Sequence, residues 1–263
     1  MNKKHLAIAI ALTIPFITNT DTAQAQHMYK HDLGQVEVYG GIHWNPLTEL
    51  ELNLNPVSYG PVSMPASSNK FSNGETNQAY YGVKFGLGGK FSAEYRASKN
   101  VSERMVDITT LIPHVGMNAD VDFYGRVTTQ EYRLNYHPDY CWTFYVEDDH
   151  VEGYAKAYSP LLSHIPFVGQ DNLILKSKSD RFMAGFTFGM PIGHGTAAWV
   201  GAGIGDGVKR LEAGVTYSIN KHTSIDFSYQ YNAVDNLVKS DALGIKSINV
   251  SNRGFYTGLS YWF

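Results

Sequence analysis

Apolar and polar residues alternate with a period of two along this sequence, and this pattern constrains the fold more than any other feature. From Thr223 to Ala233 the odd positions carry mostly apolar or aromatic side chains, and the even positions carry polar ones. The alternation recurs from Arg210 to Ile219 and from Arg181 to Met190. Because successive side chains of a strand point to opposite faces, each segment predicts a β-strand with one apolar face.

The same pattern predicts ten strands in the whole chain. Their bounds are 36–44, 79–87, 91–97, 120–136, 140–147, 181–190, 196–204, 210–219, 223–233 and 254–263. The segment 196–204 alternates poorly and is the weakest of these predictions. In the fourth strand the apolar positions change phase near Thr129 and Gln130, which we interpret as a β-bulge. An additional strand at 101–110 would change both the count and the positions of the loops.

Short turns alternate with long links between these strands. The predicted turns are 88–89, 137–139, 191–195 and 220–221, and the predicted long links are 45–74, 98–119, 159–180 and 234–249. The short turn at 205–207 is an exception on the long-loop side. Short turns on one rim and long loops on the other are typical of a transmembrane β-barrel, with both chain ends on the periplasmic side.

The polarity of the two strand faces separates a membrane barrel from a soluble sandwich or barrel. A soluble barrel would bury its bulky apolar face, whereas here the opposite face is small, polar or charged and fits a narrow lumen. The charged residues assigned to the lumen are Lys84, Glu94, Arg96, Arg126, Arg133, Arg181, Arg210, Glu212 and Asp226, with Glu37, Glu131 and Glu147 as further acidic partners of the arginines. The sequence therefore predicts an all-β, transmembrane, up-and-down antiparallel barrel. Opposite charges would fill its lumen, or alternatively line a small-solute channel.

The N-terminal segment has the features of an export signal. Lys3 and Lys4 precede an apolar stretch from Leu6 to Ile17, and the small residues Ala23 and Ala25 follow. We therefore expect a signal peptide at 1–25 and a barrel domain at 26–263. The net charge of −3 and the scattered basic residues give no electrostatic surface for nucleic acid. The single cysteine, Cys141, excludes a disulfide within the chain.

The last predicted strand, GFYTGLSYWF, carries Phe255, Leu259, Tyr261 and Phe263 on its apolar face. This stretch resembles the C-terminal signature of Gram-negative outer-membrane β-barrel proteins. The resemblance implies a location in the cell outer membrane, contact with outer-membrane lipid, and recognition of this strand by the barrel assembly machinery as an insertion signal. It does not identify a subfamily.

Acidic residues are grouped near the predicted outer rim. Asp120 and Asp122 open the fourth strand, and Asp148, Asp149 and His150 follow the fifth, so we expect the two groups to be neighbours. Their spacing is similar to the Asp-x-Asp and Asp-x-His pairs of omptin outer-membrane proteases, in which such pairs activate water on opposite walls. A solvated, charged rim is the simpler interpretation. No ordered ligand spacing is present, so neither a metal nor a cofactor is predicted.

The long links favour a role at the cell surface without catalysis. The stretch SPLLSHIPFVG, 159–169, is unusually apolar for an exposed link, and apolar patches at a rim mark interaction sites. We therefore expect surface interaction, adhesion or envelope integrity, with a host or neighbouring-cell ligand bound by the loops 45–74, 98–119 and 159–180. A porin-like channel and an omptin-like rim protease are the two alternatives.

Overall fold

The computed structural model describes most of the segment that was predicted to form the barrel. The described residues are 32–59, 62–64, 66–74, 77–107, 120–160, 163, 170–193, 195–240 and 245–263. The predicted signal peptide at 1–25 lies outside these ranges, as does most of the apolar stretch at 161–169. No helix within them is long and apolar enough to cross a bilayer.

The described residues form thirteen β-strands. They are β1 (Val36–Leu54), β2 (Val57–Tyr59), β3 (Val62–Met64), β4 (Ser67–Gly74), β5 (Gln78–Gly88), β6 (Phe91–Asp107), β7 (Asp120–Tyr136), β8 (Trp142–Tyr158), β9 (Asn172–Gly193), β10 (Thr196–Gly205), β11 (Val208–Ser218), β12 (Thr223–Ser240) and β13 (Ile245–Trp262). Strands β1 and β5–β13 pair in sequence order, and β13 pairs with β1. The predicted ten-stranded antiparallel barrel is therefore confirmed.

Strand β1 is shared between two partners on one side. Its first part, Val36–His43, pairs with β5, and its second part, Leu47–Leu54, pairs with β4. Because both β4 and β5 pair with β1, they follow one another along the same side of the barrel. A register shift between Trp44 and Leu47 separates the two parts of β1. A short hairpin of β2 and β3 completes the long link predicted at 45–74.

The segment predicted as the weakest strand forms β10, and its small residues have a packing role. Gly203 leaves room for Tyr145 of β8, since a Cβ atom there would lie 2.5 Å from the Tyr145 hydroxyl. Gly214 of β11 similarly accommodates Trp199, at 2.7 Å from the indole ring. Glycine at these inward positions interrupts the regular alternation, because bulky side chains of neighbouring strands occupy the space inside the barrel.

Several strands are far longer than a membrane crossing requires. A tilted transmembrane strand needs about 9–11 residues, whereas β8 has 17 and β9 has 22. Residues 101–107 continue β6 rather than forming an extra strand, so the count stays at ten. Much of the predicted links 98–119, 159–180 and 234–249 is therefore part of the barrel wall.

The outer surface of the barrel carries a belt of exposed apolar and aromatic side chains. Its members include Trp44, Tyr81, Phe85, Leu87, Phe91, Tyr132, Leu134, Tyr136, Phe144, Val146, Phe182, Phe186, Val200, Ile204, Leu211, Tyr217, Phe227, Tyr229, Phe255, Leu259 and Tyr261. The outward positions beyond this belt on the long strands are mostly polar, as at His150 and Glu152 of β8. We call the part of the barrel beyond the belt the outer segment.

The phase change in β7 is not a β-bulge, and the prediction of one is wrong. β7 pairs with β6 and with β8 in continuous register. Odd positions of β7 point inward throughout, from the buried Val121 to the buried Glu131 and Asn135. The apolar face therefore changes from inward to outward while the backbone alternation continues unchanged. The physical reason is that the outer segment has its apolar side chains inside, whereas the belt has them outside.

Candidate functional site

The interior at the level of the belt is filled by a network of opposite charges, which we call the ionic layer. Its members are Glu37, Lys84, Glu94, Arg96, Glu131, Arg133, Glu147, Asp149 and Arg210. Inward positions of different strands supply them, so closure of the barrel brings them together. All of them except Asp149 were predicted for the lumen, with Glu37, Glu131 and Glu147 as the acidic partners of the arginines.

Arg210 lies at the centre of the ionic layer. Its guanidinium donates to Glu147 at 2.7 Å, lies 3.1 Å from Glu131 and donates through Nε to Asn232 at 2.9 Å. The Arg210 residue is only 3% exposed. A buried cation needs such complete pairing, because an unpaired charge would be costly away from water.

Arg133 and Arg96 extend the ionic layer across the lumen. Arg133 donates to Glu147 at 2.5 Å, and its guanidinium lies 4.0 Å from the centre of the Tyr145 ring. Arg96 donates to Glu131 at 2.6 Å. The carboxylates of Glu131 and Glu147 are thus paired with three guanidinium groups in the middle of the barrel. Ions would have to displace these pairs to pass.

The ionic layer continues toward the end of the barrel that carries the short turns. Lys84 lies 3.4 Å from Glu37 on the neighbouring strand β1. Glu94 accepts hydrogen bonds from the Tyr39 hydroxyl at 2.5 Å and from Asn135 at 3.3 Å. Asp226 and Glu212, also predicted for the lumen, occupy inward positions on β12 and β11, and Asp226 accepts a hydrogen bond from Thr216.

Asp149 and Glu147 form a pair of buried acids within the ionic layer. They point inward at successive inward positions of β8, and each is 1% exposed. Together with Glu131 they place carboxylate oxygens within 4.8 Å of one another. This is the described group whose geometry could hold a metal ion, but guanidinium groups already approach Glu131 and Glu147. The arrangement is therefore better described as part of the ionic layer.

The interior of the outer segment is apolar instead. Its buried members, the outer cluster, are Leu52, Val151, Leu237, Val238, Ile245, Ile248 and Val250. Leu237 and Val238 are both buried although they are consecutive, because β12 loses its regular register after Val234. Asn236 adopts a φ of 55° there, a left-handed conformation that asparagine tolerates well. The outer cluster thus fills the lumen a second time, beyond the ionic layer.

Arg181, another predicted lumen residue, bonds to the turn of the short hairpin formed by β10 and β11 and to β12. Its Nε donates to Ser179 at 3.0 Å, and its guanidinium donates to the carbonyl oxygens of Asp206 at 3.0 Å and Asn236 at 3.1 Å. These contacts connect β9 to the turn at 205–207 and to β12. Gly207 makes room for the guanidinium, because a Cβ atom there would lie 2.5 Å from Nη1. The role of Arg181 is therefore to position strands.

Arg126 differs from its predicted lumen position, because it lies on the outer face of β7. It is at an even position, opposite Tyr154 of β8, and its guanidinium lies 5.5 Å from the centre of the Tyr154 ring. The reason is the inverted polarity of the outer segment, where the charged face of the strand is the solvent face. Lys176 of β9 approaches the same ring, at 5.9 Å.

The structure separates the predicted rim residues. Strand β8 continues to Tyr158, so Asp148 pairs with Tyr132, whereas Asp122 pairs with Tyr158. The position of Asp122 and the position opposite Asp148 are ten residues apart on β7, which corresponds to about 33 Å at about 3.3 Å per residue. The expected neighbourhood of Asp120 and Asp122 with Asp148 and His150 is wrong, because the fifth predicted strand does not end at Glu147.

His150 has other partners on the outer face. Its Nδ1 lies 2.5 Å from Asp180 of β9, and its Nε2 lies 3.6 Å from Glu152. The hydrogen bond to Asp180 raises the pKa of His150 above its usual value, because it favours the protonated imidazole. Lys178 pairs with Glu152 in turn. This chain of exposed charges lies directly beyond the belt.

The predicted insertion-signal residues all lie on the outer surface of the closing strand. Phe255, Leu259 and Tyr261 of β13 are 66%, 54% and 43% exposed, and Phe263 is 71% exposed. The backbone N–H of Phe263 donates to the Val36 carbonyl at 2.9 Å, which continues the pairing of β13 with β1. The recognition of these residues by the assembly machinery stays a prediction.

No protein-family model matches the sequence, and no curated protein matches it. Among solved structures, the chain is similar to Ail of Yersinia pestis in complex with a heparin analogue, at 11% identity and a TM-score of 0.39 over 88% of this chain and 99% of that one. It is also similar to OprG of Pseudomonas aeruginosa, at 13% identity and a TM-score of 0.40 over 89% and 98%. It is also similar to the outer membrane protease OmpT of Escherichia coli, at 9% identity and a TM-score of 0.46 over 87% of this chain and 97% of that one. The closed antiparallel barrel that the predicted resemblance implies is confirmed by the strand pairing of the structure itself.

Proposed function

We propose that this protein is an integral outer-membrane β-barrel with a closed lumen that acts by surface interaction, in adhesion or in envelope integrity. The observation that carries the proposal is that the interior is filled at two levels, by the ionic layer and by the outer cluster. With the lumen filled, the surface available to other molecules is the wall and the loops of the outer segment. That segment rises well beyond the belt, as β8 does from Asp148 to Tyr158.

Neither alternative function is favoured by the arrangement of the side chains. A porin-like channel needs a continuous polar path, whereas the outer cluster places Val151, Leu237 and Ile248 across that path. An omptin-like protease needs two acidic pairs facing one site, whereas Asp122 and Asp148 are distant along the wall. A binding role uses the exposed surface and requires neither arrangement.

Single-channel recording tests the closed lumen. The purified barrel is refolded, its folding is verified by heat-modifiable migration on a gel, and it is inserted into a planar bilayer beside an open porin as the positive control. We expect a folded barrel without discrete current steps. Reproducible steps that change when Arg210 is neutralised would contradict a closed lumen and favour the small-solute channel.

Adhesion of whole cells tests the surface role. Cells that display the protein are compared on immobilised host matrix with cells that carry an empty vector, and we expect more of the displaying cells to be retained. Replacing the apolar residues 161–169 by a Gly/Ser linker of equal length is expected to lower retention. The matched control is a substitution in the short turn at 88–89, on the opposite rim. Equal retention of displaying and empty-vector cells would contradict the adhesive role.

A further inference from the structure

Basic and aromatic side chains form a ladder on the outer face of β7, β8 and β9. Arg126, Tyr154 and Lys176 are directly opposite one another on the three strands, and Tyr124 and Lys156 form the next row outward. The two rings of Tyr124 and Tyr154 meet edge to face at 5.9 Å between centroids. We call Arg126, Lys156 and Lys176, with these two tyrosines, the basic patch.

The cations of the basic patch are available to a ligand. Nearer the belt, Lys178 pairs with Glu152, and His150 bonds to Asp180. Arg126 and Lys176, by contrast, each lie over the ring of Tyr154, and neither forms an ion pair with a side chain that the structure describes. Lys156 forms no ion pair with such a side chain either. Three cations on adjacent strands therefore face outward, and none of them forms an ion pair with a carboxylate whose side chain the structure describes; the side chain of Glu103, which pairs with Tyr124 on β6, is outside that description.

The height of the basic patch above the membrane limits what can reach it. Arg126 lies six residues beyond Tyr132 on β7, and Lys176 lies six residues beyond Phe182 on β9, where Tyr132 and Phe182 form the last row of the belt. Six residues span about 20 Å of strand, or about 15 Å of height for a strand tilted by about 40°. A phospholipid headgroup layer is only about 5–8 Å thick. A lipid that reaches the basic patch must therefore carry sugars between its acyl chains and its anionic groups.

We propose that the basic patch binds the phosphate groups of a glycolipid in the outer leaflet, beside the barrel wall. The side chains project sideways over the membrane, and not upward from the rim, so the ligand that they face is a neighbouring lipid. Arginine and lysine suit phosphate oxygens, arginine through its bidentate donors. This inference rests on the outer-membrane location in the proposed function, but it depends neither on the closed lumen nor on adhesion.

Native mass spectrometry of the barrel refolded in neutral detergent tests the proposal. The probes are a short-chain lipopolysaccharide with phosphorylated core sugars, the same glycolipid after enzymatic removal of its phosphates, phosphatidylglycerol vesicle lipid, and a soluble sulfated oligosaccharide. The test variant is Arg126→Gln, Lys156→Gln and Lys176→Gln combined. The matched control is Lys209→Gln, Lys246→Gln and Arg253→Gln, which removes the same charge from β11 and β13. Heat-modifiable migration verifies the folding of both.

The expected result is a loss of affinity for the phosphorylated glycolipid of about a hundredfold in the test variant, since each basic residue near an anionic surface contributes about fivefold. The control variant should lose less than about fivefold. Equal losses in the two variants would overturn the proposal, as would equal binding of the glycolipid without its phosphates. Equal binding of the soluble oligosaccharide or of phosphatidylglycerol would overturn the choice of a glycolipid. If the triple variant fails to fold, Arg126→Gln with Lys176→Gln replaces it, with an expected loss of about thirtyfold.

Discussion

The two halves of the barrel interior have opposite chemistry although the same strands build both. On β8, Glu147 and Asp149 point inward within the ionic layer, and Val151, the next inward residue, belongs to the outer cluster. The outer face changes in the opposite sense, from Val146 to the polar Asp148 and His150. Within two residues of one strand, the wall therefore changes from apolar outside and polar inside to the reverse.

This difference teaches that the surrounding medium decides which face of a strand is apolar. Lipid surrounds the belt, so apolar side chains are favourable outside and the interior receives the charges, which then have to satisfy one another. Water surrounds the outer segment, so its apolar side chains gain by turning inward, at about 25 cal/mol per Å² of buried apolar area. The outer segment thus follows the rule of a soluble barrel, and the belt follows the rule of a membrane protein.

The largest expected effect comes from breaking the ionic layer at Arg210. Arg210→Ala leaves Glu131 and Glu147 with less compensation in a buried site, so the free energy of unfolding should fall by about 3–5 kcal/mol. Urea unfolding from lipid vesicles measures it. The control is Arg253→Ala, which removes a half-exposed ion pair with Glu49 and should cost less than about 1 kcal/mol. Equal effects of the two substitutions would mean that the ionic layer is solvated.

A slightly smaller effect is expected from emptying the outer cluster. Leu237→Ala removes a buried side chain that packs against Gly153, so it should lower the free energy of unfolding by about 2–4 kcal/mol in the same assay. Ile174→Ala, at an outward position of β9 with 51% exposure, is the matched control and should change it by less than about 0.5 kcal/mol. A negligible effect of Leu237→Ala would indicate a loosely packed, hydrated interior in the outer segment.

The ten strands of the barrel could be predicted from the sequence, because alternation indicates a strand regardless of which face is inside. Strands β2, β3 and β4 were missed, since they lie in the predicted link 45–74. The direction of each face could not be predicted with the same rule everywhere. The apolar residues Val121 and Val127 of β7 face inward, whereas Tyr132 faces outward. The prediction assumed that apolar side chains face outward along the whole chain, and this assumption required a bulge between Val127 and Tyr132. The same assumption placed Arg126 in the lumen. The change of phase was the signal that the strand leaves the membrane.

The ends of the strands were the second source of error. A length suited to one membrane crossing ended the fifth predicted strand at Glu147, which turned Asp148, Asp149 and His150 into a rim group. In the structure they alternate along a continuing strand, with Asp149 inside and the other two outside. The contacts of Arg210 with Glu131 and Glu147 depend on which strands face each other across the lumen. Local sequence patterns do not predict such long-range contacts.

A charge placed on the outer face of β9 maps the boundary between the two regions. Phe186 lies in the belt and Ile174 lies in the outer segment, both at outward positions of this strand. Phe186→Lys should lower the free energy of unfolding from vesicles by about 2–4 kcal/mol, because it exposes a cation to hydrocarbon. Ile174→Lys should change it by less than about 1 kcal/mol, because it exposes the cation to water, where the repulsion from Lys156 directly opposite on β8 is weak. Comparable losses would move the boundary of the membrane beyond Ile174.

The smallest effect concerns the titration of His150, two residues beyond the last belt row. Its pKa should lie above the usual value of about 6.5, and Asp180→Asn should lower it, as measured by NMR of histidine-labelled protein with His150→Gln for assignment. Because the folded-state pKa is raised, the stabilisation is fully present below about pH 6.5 and is lost as the pH rises through the folded-state pKa. It should stay under about 1 kcal/mol, since the pair is exposed to water. Contact with lipid would instead disfavour the charged imidazole, so a pKa below the usual value would place His150 inside the membrane and shift the boundary outward along β8.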